Sequence, residues 1–589
     1  MARIAAGLAV LLIALPVSAQ PEEVDIVEQH VEVDLTGAEL SIVATATVEV
    51  VGWTEGAFVP QPLLRIERAR VDGTDVALEP HPEAPAEVAI LRYPETMSAG
   101  RRFTMELTMR GAPRCAAGLG RQLCFHSEPE TILPGVAPFE SWYFTNLWAA
   151  DGFTGTITVH APASHVVAAG QGAPRTVETV GEVTTWVFDV THETDMLPLY
   201  AGTASVRALP HAGVEAYFQP ERDDGARVDE ALGVAAEVLG VYADVFGIAP
   251  PEPARLVFVP RSFRAGGIGL LGTTFLNEIV IGDADYLLVQ GVAHELAHTY
   301  FGGFASAART TREELVHAGF LQEAFAEYAA WRALGEARGE AVRTSGMRMN
   351  AVWYMYRRPG DADAPILSEA LHETPALVHA TYHKGGMVVR YLEELVGRAE
   401  LTAALRAYVA RGYGMLAVEA LRQEIESASG LDVGGTLDQW LREAGFPRVT
   451  VTVTTRDGGA RLRAEVEGDY DLVVPVRATF SNGESEAVRL TLSPGASEHD
   501  LVFREPPVLV EIDPSWSHAR EIRPGIAGEV TFDGVVDAAD MMDVALRAGT
   551  FLPEERRVDG GYDPLYDLDG DRTVGGGDVA LVIAAAGGG

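Results

Sequence analysis

Residues 289–301 read VQGVAHELAHTYF, an apolar run with a helical period. It carries His294, Glu295 and His298. Positions four apart on a helix share a face, so the two imidazoles point the same way. Two unpaired histidines on a core-facing helix are costly, so any fold this chain adopts must give them a partner. The H-E-x-x-H spacing specifies one: both ring nitrogens can reach a single metal ion while Glu295 stands beside it.

Zinc suits such nitrogen ligands, and with three protein ligands it keeps an open position for water. Glu295, too short of the metal to ligate it, can take a proton from that water as general base. A third ligand is needed. A metzincin has a glycine three residues after its second histidine and a histidine three further on; this chain has Phe301 and Phe304 there, which excludes that class. The following run, GFLQEAFAEYAAW, offers Glu323 and, one turn later, Glu327. Glu323 is the expected ligand. Glu327 is expected as a carboxylate behind a ligand histidine, the alternative being an ordinary solvated glutamate. His317, Glu313 and Glu314 are rivals for the third position.

The periodicity changes along the chain. From Val24 to about Val206, VDIVEQHVEVDL, ELSIVATATVEVV, RRFTMELTMRG and GFTGTITVHAP alternate apolar with polar residues, as strands do. From Asp223 the period is helical, beginning with VDEALGVAAEVLGVYADVFG before Gly247, and continues to about Gly445. After Pro447 five short strand-like runs have the spacing of a small antiparallel sandwich. Arg523-Pro524-Gly525 reads as a linker to a separate Asp- and Gly-rich unit. Inside the helical stretch, GIGLLG from Gly267 matches G-x-G-x-x-G, but a strand pattern, TTFLNEIVI, follows it where a dinucleotide fingerprint opens a helix.

Residues 1–19 combine Arg3, an apolar run and Pro16-Val17-Ser18-Ala19, the pattern of a secretory signal with cleavage expected after Ala19. The run is shorter than the roughly 20 residues that span a bilayer, so no membrane span is expected in the mature chain. Export to an extracellular or periplasmic space makes a disulfide between the only cysteines, Cys115 and Cys124, the expected state. Asp and Glu number 84 against 45 Lys and Arg, a net charge of -39 that repels phosphate backbones and argues against nucleic acid as a partner.

At this point the motifs resemble those of the gluzincin aminopeptidases typified by aminopeptidase N. AHELAHTYFGG is similar to that family's HELAHQWFGN, and FLQEAFAEY to its WLNEGFASY, whose glutamate is the third zinc ligand. TYHKGG, containing the only lysine of the chain, resembles the Y-x-K-G motif. The resemblance implies that Tyr382 donates a hydrogen bond to the oxyanion formed when water attacks a peptide carbonyl, with Lys384 close behind it. Three features depart from the family. The gap between His298 and Glu323 is longer than usual. The family's G-x-M-E-N, whose glutamate grips the substrate's free amine, is replaced by a stretch containing Gly266, Gly267, Ile268 and Gly269, with no acidic residue before Glu278. The backbone there can still pair with an extended peptide as an added strand. A large helical C-terminal domain has no counterpart, which implies access for longer or internal peptide segments.

Residues 529–540 and 567–578 form a repeated twelve-residue loop. Asp567, Asp569, Asp571 and Asp578 stand at positions 1, 3, 5 and 12 of a calcium loop, with the Thr573 carbonyl at 7. Glu529, Thr531, Asp533 and Asp540 stand at 1, 3, 5 and 12 of the first copy. Apolar helices follow both. The pair resembles a type I dockerin, which implies up to two structural calcium ions and a cohesin-like partner.

The expected architecture is multidomain α+β: a signal peptide (1–19), an N-terminal antiparallel β domain (20–207), a thermolysin-like, mainly helical catalytic domain (208–446), a β-sandwich (447–523) and a dockerin-like module (524–589). The expected function is a secreted zinc metallopeptidase, aminopeptidase-like but without the amine-binding glutamate. The alternatives are an endopeptidase with a more open cleft, and a non-catalytic binding protein that uses the peptidase fold and the tail for assembly.

Overall fold

A computed structural model describes residues 24–587 apart from 53–54, 61–62, 81–87, 114–123, 128, 136–141, 146–150, 264, 279, 281–284, 308–311, 358–362, 373, 457, 533–534 and 552–560. The signal sequence, Cys115 and Asp533 lie outside the described residues; Cys124 is buried. The chain forms two compact units, one ending at Gln322 but including Leu405–Leu421, the other made of Glu323–Ala404 and Arg422 onward.

In the first unit the alternating runs build an eight-stranded sheet. Leu40–Val50 alternates strictly between buried and half-buried positions, so every second side chain enters the core that includes Val33, Ile42, Leu107, Ile157 and Phe188. The sheet is not wholly antiparallel as expected. Val24–Asp34 pairs antiparallel with Leu40–Val50 but parallel with Phe153–Pro162, because the chain returns to its first strand by a long crossover rather than a hairpin.

A second correction concerns the stretch expected to be mainly helical. It opens with a five-stranded sheet in the order Ser205–Leu209, Val214–Phe218, Ala254–Val259, Thr273–Asn277, Gly267–Leu270. The three inner strands are parallel and both outer ones antiparallel. Ala254–Val259 is buried at all six positions, Arg255 included, which is why its Leu256–Val259 half is continuously apolar instead of alternating. The helix Gly225–Phe246, capped by the Asp224 side chain on the Ala226 N–H (2.9 Å), packs on this sheet and on the helix Asp285–Ala297.

In the second unit the helices Phe325–Arg338, Glu340–Arg357 and Gly385–Val396 pack together. One buried carboxylate joins them: Glu393 accepts from the Tyr328 hydroxyl and the Arg343 guanidinium, with Arg390 and Arg398 alongside. Burial alone would raise the Glu393 carboxyl, but these cations and the hydroxyl hold it at about 2. The sandwich has seven strands in sheets of four and three, rather than five. Glu521–Pro524 is an edge strand paired in parallel with Arg448–Val451, so Arg523-Pro524 is not a linker; the edge tolerates a proline that lacks a ladder donor. Among the described residues no helix is long and apolar enough to cross a membrane.

Candidate active site

The helix Asp285–Ala297 buries Leu288, Val292, Ala293 and Leu296, and its face is fixed by the Tyr242 hydroxyl, which donates to the Ala293 carbonyl (2.7 Å). His294 is 5% exposed. The helix ends at Ala297, so His298 is the first residue of the turn that follows, not a mid-helix residue as its pattern suggests. That turn has a use: the Phe301 carbonyl lies 3.0 Å from His298 Nδ1 and accepts the hydrogen bond of its N–H, which leaves Nε2 as the nitrogen free of a proton and able to ligate. The two Nε2 atoms are 3.3 Å apart.

Glu323 is 7% exposed and stands in a π-helical turn, Phe320–Ala324, that leads into the helix Phe325–Arg338. His294, His298 and Glu323 each offer one ligand atom, all within 4.8 Å of one another. The donor set fits zinc: bonds of about 2.0–2.1 Å at a tetrahedral angle separate two nitrogens by about 3.3 Å. The rivals do not join this group. His317 faces the exposed Glu313 one turn away (3.9 Å), and Glu314 is also outside it.

The edge strand Gly267–Leu270 lies against the same helix. The Gly269 N–H donates to Glu295 Oε2 (2.8 Å), holding one oxygen of the carboxylate in place. The approach is close enough to require glycine. A Cβ at residue 269 would sit 1.9 Å from the Glu295 carbonyl oxygen, and one at 267 would sit 2.5 Å from the Glu295 side chain. Ile268, between them, is buried. Glu278 does not replace the missing amine clamp. Burial raises its carboxyl, and Arg222 (2.6 Å) and Arg261 (3.7 Å) already take its oxygens.

Glu327 is fully buried, which removes the solvated-glutamate alternative; Trp331 Nε1 donates to its Oε1 (3.1 Å). A Cβ on Gly386 would come within 3.1 Å of the Glu327 side chain, so this glycine lets the helix Gly385–Val396 approach. Tyr382 stands in a second π-helical turn, His379–Lys384, at the start of that helix. Its ring is half-buried while His379, Thr381, His383 and Lys384 are buried. Lys384 Nζ donates to the Glu443 carbonyl (2.7 Å) just beyond the helix Gly434–Arg442 and lies 5.5 Å from the Tyr354 ring centre. Such turns occur often at functional sites, yet neither is marked by a composition signal. His379 and His383, four apart around Tyr382, carried a spacing signal that the sequence reading missed.

In the tail the two loops share three backbone hydrogen bonds to the carboxylate at position 12. Asp540 accepts from Val530 N–H (2.7 Å), Thr531 N–H (3.0 Å) and Asp537 N–H (2.9 Å). Asp578 accepts from the equivalent Leu568 (2.6 Å), Asp569 (3.2 Å) and Gly575 (2.6 Å). Asp567, Asp569 and Asp578 form a second group with ligand atoms within 4.8 Å. Asp571 is not in it; its carboxylate accepts from the Thr573 N–H (2.8 Å). In the first loop Glu529 is buried and the Thr531 hydroxyl donates to Asp540 (3.1 Å).

Residues 230–440 match the family model described as the Peptidase family M1 domain, a stretch that contains the histidine helix and both π-helical turns. Aminopeptidase M1 of Arabidopsis thaliana is 26% identical over 289 residues, 45% of this chain and 31% of that protein. Aminopeptidase N of Lactococcus lactis subsp. lactis is 26% identical over 246 residues, 38% of this chain and 27% of that protein. The matched part thus spans about a third or less of these relatives. A crystal structure of Legionella pneumophila aminopeptidase A in complex with aspartic acid superposes with a TM-score of 0.67 at 14% identity, covering 85% of this chain and 60% of that one, a likeness of fold. These matches show a likeness to M1 peptidases and aminopeptidases, centred on residues 230–440.

Proposed function

We propose that this chain is an exported zinc metallopeptidase, with His294, His298 and Glu323 as ligands. The observation that carries the reading is the convergence of the two Nε2 atoms at 3.3 Å with Glu323 in the same group. A zinc ion bound there supplies a Lewis acid and makes water acidic enough to attack at neutral pH. Glu295, held at one oxygen by Gly269, takes a proton from the attacking water and returns it to the leaving amine. Tyr382 donates to the carbonyl oxygen as negative charge develops on it. Glu327 and Lys384 support the two turns from behind.

The comparisons favour an aminopeptidase. A second reading, an endopeptidase, is favoured by residues 266–269. With the backbone at Gly269 this close to Glu295, no side chain fits where the family's amine-gripping glutamate would stand. Gly267–Leu270 is the last strand of its sheet, the place where an extended peptide would add as a further strand. Parallel assays with free aminoacyl anilides and an amino-blocked peptide decide between the readings. Hydrolysis of both supports the endopeptidase, and hydrolysis of free-amine substrates alone supports the aminopeptidase.

We propose further that the second tail loop binds one calcium ion through Asp567, Asp569 and Asp578, and that the dockerin-like pair serves a cohesin-like partner. A second ion in the first loop would draw on Asp533, outside the described residues. Calorimetry with calcium alone, then with a cohesin, tests both. The export signal and the Cys115–Cys124 disulfide complete the proposal; amino-terminal sequencing of the mature protein should begin at Gln20.

A further inference from the structure

The π-helical turn that carries Tyr382 also carries two histidines that no step above uses. His379 is 5% exposed and His383 3% exposed, and their Nδ1 atoms are 3.2 Å apart. Trp353, from the helix Glu340–Arg357, stacks on His379 with rings 6.0 Å apart at 14° and meets His383 at 64°. Two neutral Nε2–H tautomers would face lone pair against lone pair across that gap. Two doubly protonated rings would bring two positive charges together in a buried place. The contact is favourable only when one Nδ1 carries a proton and the other accepts it.

The placement gives this bond a consequence. His383 directly follows Tyr382, and His379 lies one turn before it. Lys384, the next residue, is tied to the Glu443 carbonyl. Both residues after the tyrosine are therefore fixed by side-chain bonds, while the tyrosine ring itself is only half-buried. A phenol that must meet a developing oxyanion within a few tenths of an ångström needs such support, because a strained or loose turn loses the bond where it counts.

We propose that His379 and His383 are positioning residues for Tyr382: their single shared proton, closed over by Trp353, locks the turn so that the phenol is aimed before substrate arrives. The inference rests on the peptidase reading and on Tyr382 as oxyanion donor. It adds that this aim depends on an imidazole pair lying beside, not in, the reacting groups.

The test is a double-mutant cycle on the zinc-loaded enzyme with a peptide substrate. His379→Leu should lower kcat about tenfold with KM within about twofold, because the lost interaction is made only in the transition state. In a Tyr382→Phe background the same exchange should change kcat by less than about twofold. His379→Asn, whose amide reaches roughly the place of Nδ1, should restore most of the activity lost in His379→Leu. In the unmutated protein, nitrogen NMR of labelled histidine should find one of the two Nδ1 atoms protonated and the other bare. Losses that multiply in the Tyr382→Phe background, or two Nδ1 atoms in the same protonation state, would overturn the proposal alone. Full activity of Tyr382→Phe would overturn it together with the oxyanion reading.

Discussion

The chain holds two clusters of potential ion ligands, and they are built on opposite principles. His294, His298 and Glu323 stand on packed helices and turns, with His294 and Glu323 buried and one imidazole oriented by a backbone carbonyl. Asp567, Asp569 and Asp578 stand on a loop, and only Asp578 is buried. In the first, two of three ligands are neutral, so the site can exist before the ion arrives. In the second, three carboxylates crowd together. A backbone hydrogen bond from Asp571 favours the charged form of Asp569, yet slight desolvation and the neighbouring carboxylates raise its carboxyl above the ordinary value. The lesson is that rigidity and neutral nitrogen suit a catalytic zinc, whereas repelling oxygens suit a hard cation that supplies the missing charge.

The comparison breaks most visibly at the first cluster. Glu295→Gln keeps every ligand but removes the proton acceptor; turnover should fall by roughly 10³-fold or more while the protein retains its zinc, as elemental analysis would read. Unchanged turnover sinks the mechanism. Tyr382→Phe comes next, with a fall in kcat of about 10²–10³-fold and little change in KM. A rise in KM alone would make Tyr382 a binding group instead.

Acid acts with opposite sign on the buried groups of the second unit and on the tail loop of the same unit. In the second unit burial holds the His518 imidazole at about 4, against an ordinary 6.5. The unfolded chain takes up the proton first, so stability is full above pH 6.5 and falls as pH drops toward 4, by about 3 kcal/mol. Glu393, held at about 2 against 4.5, contributes stability above pH 4.5 that is lost as pH falls toward 2. Asp569 runs the other way: with its carboxyl raised in the folded state, protonation relieves the metal-free loop. Thermal melts from pH 7 to 4 should therefore show the main transition falling, without a parallel loss in the ion-free tail. A main transition that does not move would show His518 to be accessible to protons in the folded state.

The smallest effect sharpens the contrast. Asp578→Asn should abolish the calcium-dependent rise of the tail's melting temperature, a matter of a few degrees, and leave peptide hydrolysis within about twofold. Loss of hydrolysis in that variant would mean that the two clusters are not independent.

The parts of this arrangement that were legible in the sequence are those with a fixed period. The H-E-x-x-H spacing located the two histidines of the first cluster, FLQEAFAEY the glutamate that joins them, and the repeat of twelve the tail loops, since each expresses a distance along one helix or loop. Strand alternation located the first β region for the same reason. What escaped was set by contacts between distant segments. The parallel partner of Val24–Asp34 is more than a hundred residues away, and the buried strand Ala254–Val259 does not alternate. Gly267 and Gly269 stood out in the sequence only as a departure from G-x-M-E-N, and the nearness of Glu295 is what explains them. The lone lysine stood out by composition, but its partner, the Glu443 carbonyl, is 59 residues on.

The most direct test of the central claim is metal removal and return. The purified protein is stripped with a zinc chelator, assayed on free and amino-blocked peptide substrates, and titrated with zinc in the presence and absence of calcium. The account predicts no hydrolysis by the stripped protein, full recovery at about one zinc per chain, and no recovery with calcium alone. Hydrolysis that survives stripping, or that calcium alone restores, would contradict it.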